Sequence, residues 1–422
     1  MNYILFDPPE IERFYPFTLT RPLSEMRVFG GTVKEIWERF LGCEVSDLTS
    51  TYLSSLYPTN WSDNNILIPS THLPVIHESI NRKDLPLEGI DYFIQQPELI
   101  DVQTNSFYKL NFFSSTLSNE SKQFISITNK DGVKAYLCNY LGDAPEYIYD
   151  KGSFNSYNGT NSISLLSKIT NTIFYHHKLY SGDKYFSKSY KYPNVIDLKN
   201  KYPNVFFNDD NGPIIIEKDV TIMDGSMIKG PVHICEGSTI RMGTKIYGNT
   251  IIGPKCKIGG EVSDSIFLGF SNKAHDGFLG HSIIGEWCNI GAGTSNSNLK
   301  NDYSAVKMWD YSTRKFQLSC SIDSLDFTQF LGLYMGDHSK CAINTSFNTG
   351  TTVGVNCNIF GSGFPRNFIP SFSWGGSQGI KEYDLTKAIL VAKQVMKRRG
   401  VDVEKKYIDM MKMVHDITSR YR

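Results

Sequence analysis

Aliphatic residues recur at every sixth position of the chain from residue 216 onward. Isoleucine stands at eight such positions in succession: 216, 222, 228, 234, 240, 246, 252 and 258. Four positions after each of them comes a small or β-branched residue: Val220, Ser226, Val232, Ser238, Thr244, Thr250, Cys256 and Val262. A period of six fits neither an α-helix nor a flat strand. It is typical of a parallel β-helix with three short strands per coil, so that about eighteen residues make one coil.

The repeat is interrupted at two places. Its phase slips by two residues near Asp264 and Ser265, and the chain leaves the pattern from Asn296 to about Leu331. The positions that resume it are Ile266, Phe278, Ile284, Ile290, Met335, Cys341, Phe347, Val353 and Ile359. Residues 273–298, which contain two histidines and many small polar residues, follow the first interruption. We therefore expect the coils there to give up regular side chains and form a pocket.

Residues 1–207 show a different pattern. Apolar clusters at 65–68, 91–94 and 123–127 each have the length of a strand and alternate with Ser- and Asn-rich loops. Thr32 and Glu35 form a capping box, which predicts the start of a helix. The apolar face of this helix would consist of Val33, Ile36, Trp37 and Phe40. The segment is therefore predicted to be an α/β domain.

Near the end of the chain the apolar spacing becomes helical. One helix is predicted from about residue 385 to 396 and another from about 403 to 417. The open end of a solenoid presents unpaired strand edges, so we expect these helices to cap it. With a polar seam at residues 208–213, the predicted domains are 1–207, 208–381 and 382–422.

Charge and cysteine content exclude several classes of function. The 422 residues include 43 basic and 43 acidic side chains, which leaves no excess of positive charge for nucleic acid or an anionic membrane. No apolar run reaches the length of about 18 residues that spans a bilayer, and the first seven residues lack the pattern of a secretory signal. None of the eight cysteines forms a CxxC pair. We expect a reducing cytoplasm, with Cys256, Cys288 and Cys357 as packed thiols.

Counting residues around the coils locates a candidate site. Eighteen residues after His275 comes Gly293, so the imidazole and the glycines of residues 291–293 should share one corner of adjacent coils. With the two-residue slip, Lys255 should stack on the other side of His275. Such a corner can supply a general base, backbone N–H donors and a cation for an anionic substrate.

Five short motifs carry a resemblance to a known family: GEVSDS (260–265), KAH (273–275), FLG (278–280), IGE (284–286) and NIGAGT (289–294). On these motifs, residues 214–363 resemble the left-handed β-helix acetyltransferase half of the bifunctional N-acetylglucosamine-1-phosphate uridylyltransferase/glucosamine-1-phosphate acetyltransferase family. The resemblance implies that His275 takes a proton from the sugar amine as the amine attacks the acetyl thioester. Asn289 and Asn298 would orient the sugar. The implied contacts to acetyl-CoA are Ala292, Gly293, Gly361 and Ser362.

Two positions depart from the pattern of that family. Phe278 stands where the family commonly has tyrosine, and Ser263 stands where the bacterial bifunctional enzymes have a basic residue. The sugar phosphate therefore needs other ligands. Lys255 and Lys273 are the first candidates, and Lys257 and Arg241 are further ones.

Residues 17–37 resemble the start of a divergent family of sugar nucleotidyltransferases that is fused to this kind of β-helix. The resemblance implies uridylyl transfer from UTP with Mg²⁺. Arg21, Arg27 and Lys34 would neutralise the triphosphate, and Gly30 and Gly31 would admit a phosphate at a helix N terminus. The glycine-rich AAGxGTRM-like loop of active nucleotidyltransferases is absent, so a domain without turnover is the alternative.

Together these features predict a cytoplasmic, homotrimeric enzyme of nucleotide-sugar synthesis that makes or uses UDP-N-acetylglucosamine. Two other classes stay open. One is a sugar-nucleotide-binding regulatory protein without catalysis. The other is a metal-dependent β-helix hydratase, in which His281 and His338 would join a shared metal site, as in trimeric β-helix carbonic anhydrases. The residues alone leave any metal ligand unknown.

Overall fold

A computed structural model describes residues 2–7, 11–62, 64–70, 123–128, 134–139, 195–318 and 329–422. The chain forms two compact units. The first comprises Met1–Ile11, Arg21–Met26 and Gly31–Asn158, and the second comprises Glu12–Thr20, Arg27–Gly30 and Gly159–Arg422. The second unit thus includes two short N-terminal segments, and residue 207, the predicted end of the first domain, lies within it.

A five-stranded sheet forms the described part of the first unit. In sheet order its strands are Ser46–Leu48, Asn2–Phe6, Asn64–Pro69, Lys134–Asn139 and Gln123–Thr128, the last of them antiparallel to its neighbour. Helix Val33–Leu41 begins at the predicted capping box, where the Thr32 side chain accepts the N–H of Glu35. Shorter elements are helix Thr51–Ser54, the 3₁₀ turn Leu23–Glu25 and strand Gly31–Thr32. The α/β class is confirmed, and the strand predicted at 91–94 lies outside the described residues.

The second unit is a left-handed parallel β-solenoid of about nine turns with three faces. Face 1 contains Thr221–Ile222, Thr239–Ile240, Lys257–Ile258, Asn272–Lys273, Asn289–Ile290, Lys340–Cys341, Asn358–Ile359, Ser373–Gly376 and Gly379–Glu382. Face 2 contains Phe206–Asn208, Met227–Lys229, Lys245–Ile246, Glu261–Ser263 and Phe278–Gly280, followed by the pair Ser295–Asn296 and Ser346–Phe347. Face 3 contains Ile214–Ile216, Val232–Ile234, Thr250–Ile252, Ile266–Gly269, Ile283–Glu286, Leu333–Met335, Thr351–Val353 and Phe368–Ile369.

Side chains of the six-residue repeat fill the axis of the solenoid. Seven of the eight predicted isoleucines are buried, and Ile216 at the first coil packs against them half-buried. The small residues stand at the corners because their hydroxyls satisfy backbone carbonyls there: Ser226 donates to Arg241 O at 2.9 Å and Ser238 to Gly253 O at 2.8 Å. Cys256, Cys288 and Cys357 are buried thiols, as predicted.

The phase slip shortens one coil of the solenoid. Ile258 pairs with Lys273 on face 1, fifteen residues later, whereas Glu261 pairs with Phe278 on face 2, seventeen residues later. The shortening therefore differs from face to face and reaches three residues on face 1. The slip predicted from the sequence has the opposite sign, because it lengthens this coil by two residues to twenty. Every position counted across this coil shifts accordingly.

Two N-terminal segments, residues 12–20 and 27–30, cover the outer side of face 3. The rings of Phe17 and Tyr334 lie 6.1 Å apart, and those of Phe29 and His233 lie 5.6 Å apart. Strand Arg27–Val28 brings the Arg27 guanidinium to Leu268 O at 2.9 Å. The outward-facing residues of face 3 are buried, among them Ile215, Ile251, Ile266 and Ile283. An apolar outer face is stable here because the chain itself shields it from water.

The two ends of the solenoid are closed differently from the prediction. Helix Val195–Lys201 closes the start, where Leu198, Val205 and Phe207 join the axial core. At the other end strand Gly379–Glu382 folds back antiparallel on Ser373–Gly376.

Helices Leu385–Lys397 and Lys405–Thr418 are present as predicted, but they do not act as the end cap. Arg399 reaches Lys255 and Asn272, Tyr407 reaches His338, and Arg422 reaches Ser371 O. They therefore lie along the side of several coils. The described helices are all too short or too polar to span a bilayer.

The second interruption of the repeat is a hairpin that leaves the solenoid. Its antiparallel strands are Lys307–Asp310 and Lys315–Leu318. The repeat then resumes at Met335, as predicted, and its remaining axial residues are buried.

Candidate functional site

His275 lies exposed on the corner between face 1 and face 2, in the turn between strands Asn272–Lys273 and Phe278–Gly280. On the next coil Gly293 donates its N–H to Asp276 O at 2.9 Å, and on the coil after that Asn344 donates to Ala292 O at 2.7 Å. Gly361 and Ser362 follow strand Asn358–Ile359 at the same corner. We call this corner the His275 edge. It brings together the predicted base and all four predicted acetyl-CoA contacts.

Glycines leave the backbone of the His275 edge open. Gly260, on the coil below His275, has φ +73°, and a Cβ there would lie 2.9 Å from His275 O. Gly277 has φ +122°, and a Cβ there would overlap Thr294 O. Both conformations are ones that residues with side chains rarely adopt. The turn that carries His275 can therefore stack directly on its neighbouring coils.

Lys255 does not lie on the His275 edge, which corrects the prediction. It occupies the corner between face 3 and face 1, with its ammonium 5.5 Å from the centre of the Phe270 ring. The residue stacked under His275 is Gly260, because this coil is fifteen residues long on face 1, whereas stacking on Lys255 needs a coil of twenty.

Lys273 occupies an axial position of the solenoid, in register with Ile258. Its side chain is 1 % exposed, and its ammonium donates to Gly259 O at 3.0 Å and to His275 O at 2.9 Å. The buried ammonium thus fixes the backbone of His275. Because this ammonium faces the interior of the solenoid, it cannot bind the sugar phosphate, which needs another ligand.

The buried lysine should make stability depend on pH. Burial lowers the pKa of Lys273 from 10.5 to about 8. Between pH 8 and 10.5 the unfolded chain binds more protons than the folded one, so the free energy of unfolding rises across this window. Compared with Lys273→Met, the wild type should gain up to about 3 kcal/mol there. Denaturant titrations of both proteins from pH 7 to 10 measure the difference, and parallel pH curves would contradict the placement.

Asn289 lies exposed on face 1, next to the His275 edge. Asn272 donates to its side-chain oxygen at 3.4 Å, and Arg399 donates to the Asn272 oxygen at 2.6 Å. A guanidinium from the C-terminal helices thus lies near the predicted sugar ligand. The sequence did not reveal Arg399, since only the packing of the helix along the solenoid brings it there.

Asn298 lies on a different corner, between faces 2 and 3. Its amide donates to His281 Nδ1 at 2.9 Å, and His281 Nε2 lies 4.0 Å from Asp264 Oδ2. The ring also stacks on Phe330, and burial lowers the pKa of His281. Within one chain, therefore, the two predicted sugar ligands do not share a corner.

The histidines of the metal hypothesis lie on three different corners. His275 lies between faces 1 and 2, His281 between faces 2 and 3, and His338 between faces 3 and 1. His338 is buried, and its Nε2 lies 2.7 Å from the Tyr407 hydroxyl. A metal site made of these three residues is therefore not formed within one chain.

One other group in the described part of the chain has the donor atoms of a metal site. Glu217, His233 and Cys235 have ligand atoms within 4.8 Å of one another. However, both ring nitrogens of His233 already have partners: Gly30 N lies 3.3 Å from Nδ1, and Glu217 Oε1 lies 2.7 Å from Nε2. A metal would need the lone pair of Nε2. The residues therefore fit a hydrogen-bond chain that fastens residues 27–30 to face 3.

The three predicted triphosphate ligands are divided between the two units. Arg27 belongs to the solenoid unit, where it binds Leu268 O and lies 3.7 Å from Cys235 Sγ. Arg21 and Lys34 belong to the first unit. Because Arg27 is committed to face 3, it is not available for the predicted role.

Lys34 is part of a buried cluster of charges in the first unit. Its ammonium lies 2.6 Å from Asp47 Oδ2 and 3.9 Å from Glu25 Oε1, and Asp47 is 1 % exposed. Asp7 lies at the carboxyl end of the neighbouring strand and accepts bonds from Leu23 N at 2.8 Å and Thr49 Oγ1 at 2.5 Å. Burial raises the pKa of Asp7 to about 7, and burial together with the charge of Asp47 does the same for Glu25.

Known proteins match two aspects of this chain. Residues 3–100 match a family described as sugar nucleotidyl transferase. The bifunctional protein GlmU of Methanocaldococcus jannaschii is 36 % identical over 118 residues, which are 28 % of this chain and 26 % of that protein. A bifunctional sugar-1-phosphate nucleotidylyltransferase/acetyltransferase of Sulfurisphaera tokodaii is 31 % identical over 151 residues, 35 % of each chain. The chain thus spans about a quarter to a third of the length of these relatives.

A solved UDP-N-acetylglucosamine acyltransferase from Bacteroides fragilis covers 52 % of this chain and 80 % of its own, at 14 % identity. Its TM-score of 0.17 is too low to establish a shared fold. The resemblance found in the sequence is confirmed at the level of the two named relatives and the family match. This chain combines a segment that matches the sugar nucleotidyl transferase family with a β-solenoid, and it is similar over part of its length to a bifunctional sugar-1-phosphate nucleotidylyltransferase/acetyltransferase.

Proposed function

We propose that the chain transfers an acetyl group from acetyl-CoA to the amine of a hexosamine 1-phosphate at the His275 edge. The observation that carries this proposal is an exposed imidazole on a corner whose neighbouring coils offer glycine backbone, at Gly260 and Gly293. A relative named as a bifunctional sugar-1-phosphate nucleotidylyltransferase/acetyltransferase, which is similar over 35 % of the chain, supports it.

The chemistry follows from the groups on this edge. A protonated amine cannot attack a thioester, so neutral imidazole at His275 takes the proton as the N–C bond forms. The thioester carbonyl becomes an oxyanion, which the backbone N–H of Ala292 can stabilise, since the N–H groups of Gly291 and Gly293 already donate to Cys341 O and Asp276 O. The C–S bond then breaks, and the thiolate of CoA leaves and takes up the proton from His275. The products are an N-acetylhexosamine 1-phosphate and CoA.

Oligomerisation belongs to this proposal, because Asn298 lies on another corner and could meet His275 only between chains. Face 2 offers an uncovered apolar surface for such contact, since Phe206 is 66 % and Met227 is 51 % exposed. Light scattering at micromolar concentration should give three times the chain mass of 47.8 kDa. Met227→Glu should lower this mass, and Thr221→Ala on face 1 serves as its control. A wild-type mass equal to one chain would contradict the shared site.

Nucleotidyl transfer by the first unit is a second candidate activity, favoured by the family match over residues 3–100. The carboxylates of Asp7 and Asp47 do not fit a resident Mg²⁺ as they stand. All four of their oxygens already accept a bond, from Leu23 N, Thr49, Ser24 and Lys34. Binding of a sugar nucleotide without turnover is therefore the competing role of this unit.

One coupled assay tests both activities. The protein is supplied with acetyl-CoA, a set of hexosamine 1-phosphates and UTP, while free CoA thiol and pyrophosphate are followed separately. Thiol release that depends on the sugar supports acetyl transfer, and pyrophosphate release supports nucleotidyl transfer. A protein that binds the sugar nucleotide but releases neither product would be a regulatory protein.

A further inference from the structure

The hairpin that leaves the solenoid encloses a cavity against the last coils. We call it the hairpin pocket; its volume is about 610 Å³, and it is lined by Lys300, Lys307, Phe316, Arg366, Asn367 and Phe368. Trp309 of the hairpin stacks on Phe368, with ring centres 4.1 Å apart and an interplanar angle of 12°. Phe316 in turn packs edge-on against Trp309 at 5.4 Å. The aromatic side of the pocket is thus built from both the hairpin and the solenoid.

The other side of the pocket is positively charged. No carboxylate in the described ranges lies within ion-pair distance of Lys300, Lys307 or Arg366. The hairpin strands contain one acid, Asp310, which is buried and accepts bonds from Ser312, Thr313 and Gln317. Three cations that form no ion pair with a described carboxylate favour an anionic occupant.

The three cations differ in their freedom to bind such an occupant. The Lys300 ammonium donates to Ala305 O at 2.7 Å and to Ser304 Oγ at 3.2 Å, so it closes the turn before the hairpin. Lys307 and Arg366 are exposed. These two side chains are therefore the ones that can close on an anion.

We propose that the hairpin pocket binds the phosphorylated adenosine end of the acyl donor. This inference rests on the proposed acetyl transfer and on the proposed trimer, because the pocket lies at the corner between faces 2 and 3 and would therefore serve the His275 edge of a neighbouring chain. Its volume lies within the range of about 300–1,000 Å³ that small-molecule sites occupy. Aromatic side chains favour a planar base, and lysine and arginine favour phosphate. A sugar phosphate has a phosphate but no planar base, so a nucleotide makes use of more of the pocket.

Adenosine 3′,5′-bisphosphate is the probe for this site, and its binding can be measured by titration calorimetry. The variant Lys307→Met/Arg366→Met should bind it roughly 10- to 100-fold more weakly, as expected for one or two lost charge-assisted hydrogen bonds. Lys315→Met, on the same hairpin but outside the pocket lining, is the matched control and should bind like the wild type. Phe316→Ala should also weaken binding, and adenosine without phosphate should bind far less tightly than the bisphosphate.

The same variants separate this inference from the proposed function. In an active acetyltransferase, Lys307→Met/Arg366→Met should raise the KM for acetyl-CoA at least tenfold and leave kcat nearly unchanged. An unchanged KM, or an equal loss of binding in Lys315→Met, would overturn the pocket while acetyl transfer stands. Absence of binding to the folded wild type would overturn it as well. Binding that the double variant loses, in a protein without acetyl transfer, would support the pocket and refute the proposed function.

Discussion

Replacing His275 by alanine should lower acetyl transfer by roughly 10²–10⁴-fold, the range typical of a lost general base. The fold should be retained, because the side chain is exposed on a corner and contributes nothing to the axial core. His275→Gln should be as inactive as the alanine variant, since an amide keeps the polarity and cannot accept the proton. Thiol release under saturating acetyl-CoA, together with a thermal melt, measures both effects.

His281→Ala is the matched histidine control for this experiment. His281 binds Asn298, so its loss frees one proposed sugar ligand and removes one neutral hydrogen bond. Such a loss costs about 0.5–1.5 kcal/mol, which corresponds to no more than about tenfold in rate. If instead His281→Ala abolishes turnover and His275→Ala retains it, our proposal has assigned the catalytic base to the wrong corner of the solenoid.

Replacing Lys34 by methionine should destabilise the first unit by about 3–5 kcal/mol, the usual cost of removing one partner of a buried ion pair. Asp47 is 1 % exposed and would retain only the Ser24 hydroxyl as a donor to its carboxylate. Such a loss is a large share of the stability of about 5–15 kcal/mol that a domain has. Denaturant titration followed by tryptophan fluorescence measures it.

A double variant distinguishes the ion pair from a role in binding. Lys34→Met/Asp47→Asn removes both charges and should recover at least half of the stability lost in Lys34→Met. If Lys34 instead only served to bind a triphosphate, Lys34→Met would unfold at the wild-type denaturant concentration and lose UTP binding alone. An unchanged midpoint would therefore contradict the buried pair.

The sequence predicted the solenoid well because one physical rule governs almost every coil. A narrow axis accepts one aliphatic side chain per strand, so the period of six appears directly in the letters. The capping box at Thr32 and both C-terminal helices were equally visible, since their signals are local. The His275 edge followed from counting, and Gly293 was misplaced by only one residue.

Positions that depend on the length of one coil were not predictable in the same way. The slip near Asp264 removes three residues on face 1 and one on face 2 relative to eighteen, and no local signal fixes that division. Lys255 was therefore assigned to the wrong corner, and Lys273 was assigned to the surface although it points to the axis. Arg27 was misassigned for another reason: its partners lie more than 200 residues away in sequence.

Because residues 12–20 and 27–30 cover face 3, the gene cannot simply be divided between its N-terminal and solenoid parts. A truncation that starts at residue 208 would lose Phe17, Arg27 and Phe29 and expose the isoleucines of face 3 to water. Such a fragment should aggregate, although its sequence contains every six-residue repeat of the solenoid. During synthesis, residues 12–20 and 27–30 also leave the ribosome long before the strands of face 3, which they cover, have been translated. Fission of the gene between the two units would therefore fail unless these two segments moved with the solenoid.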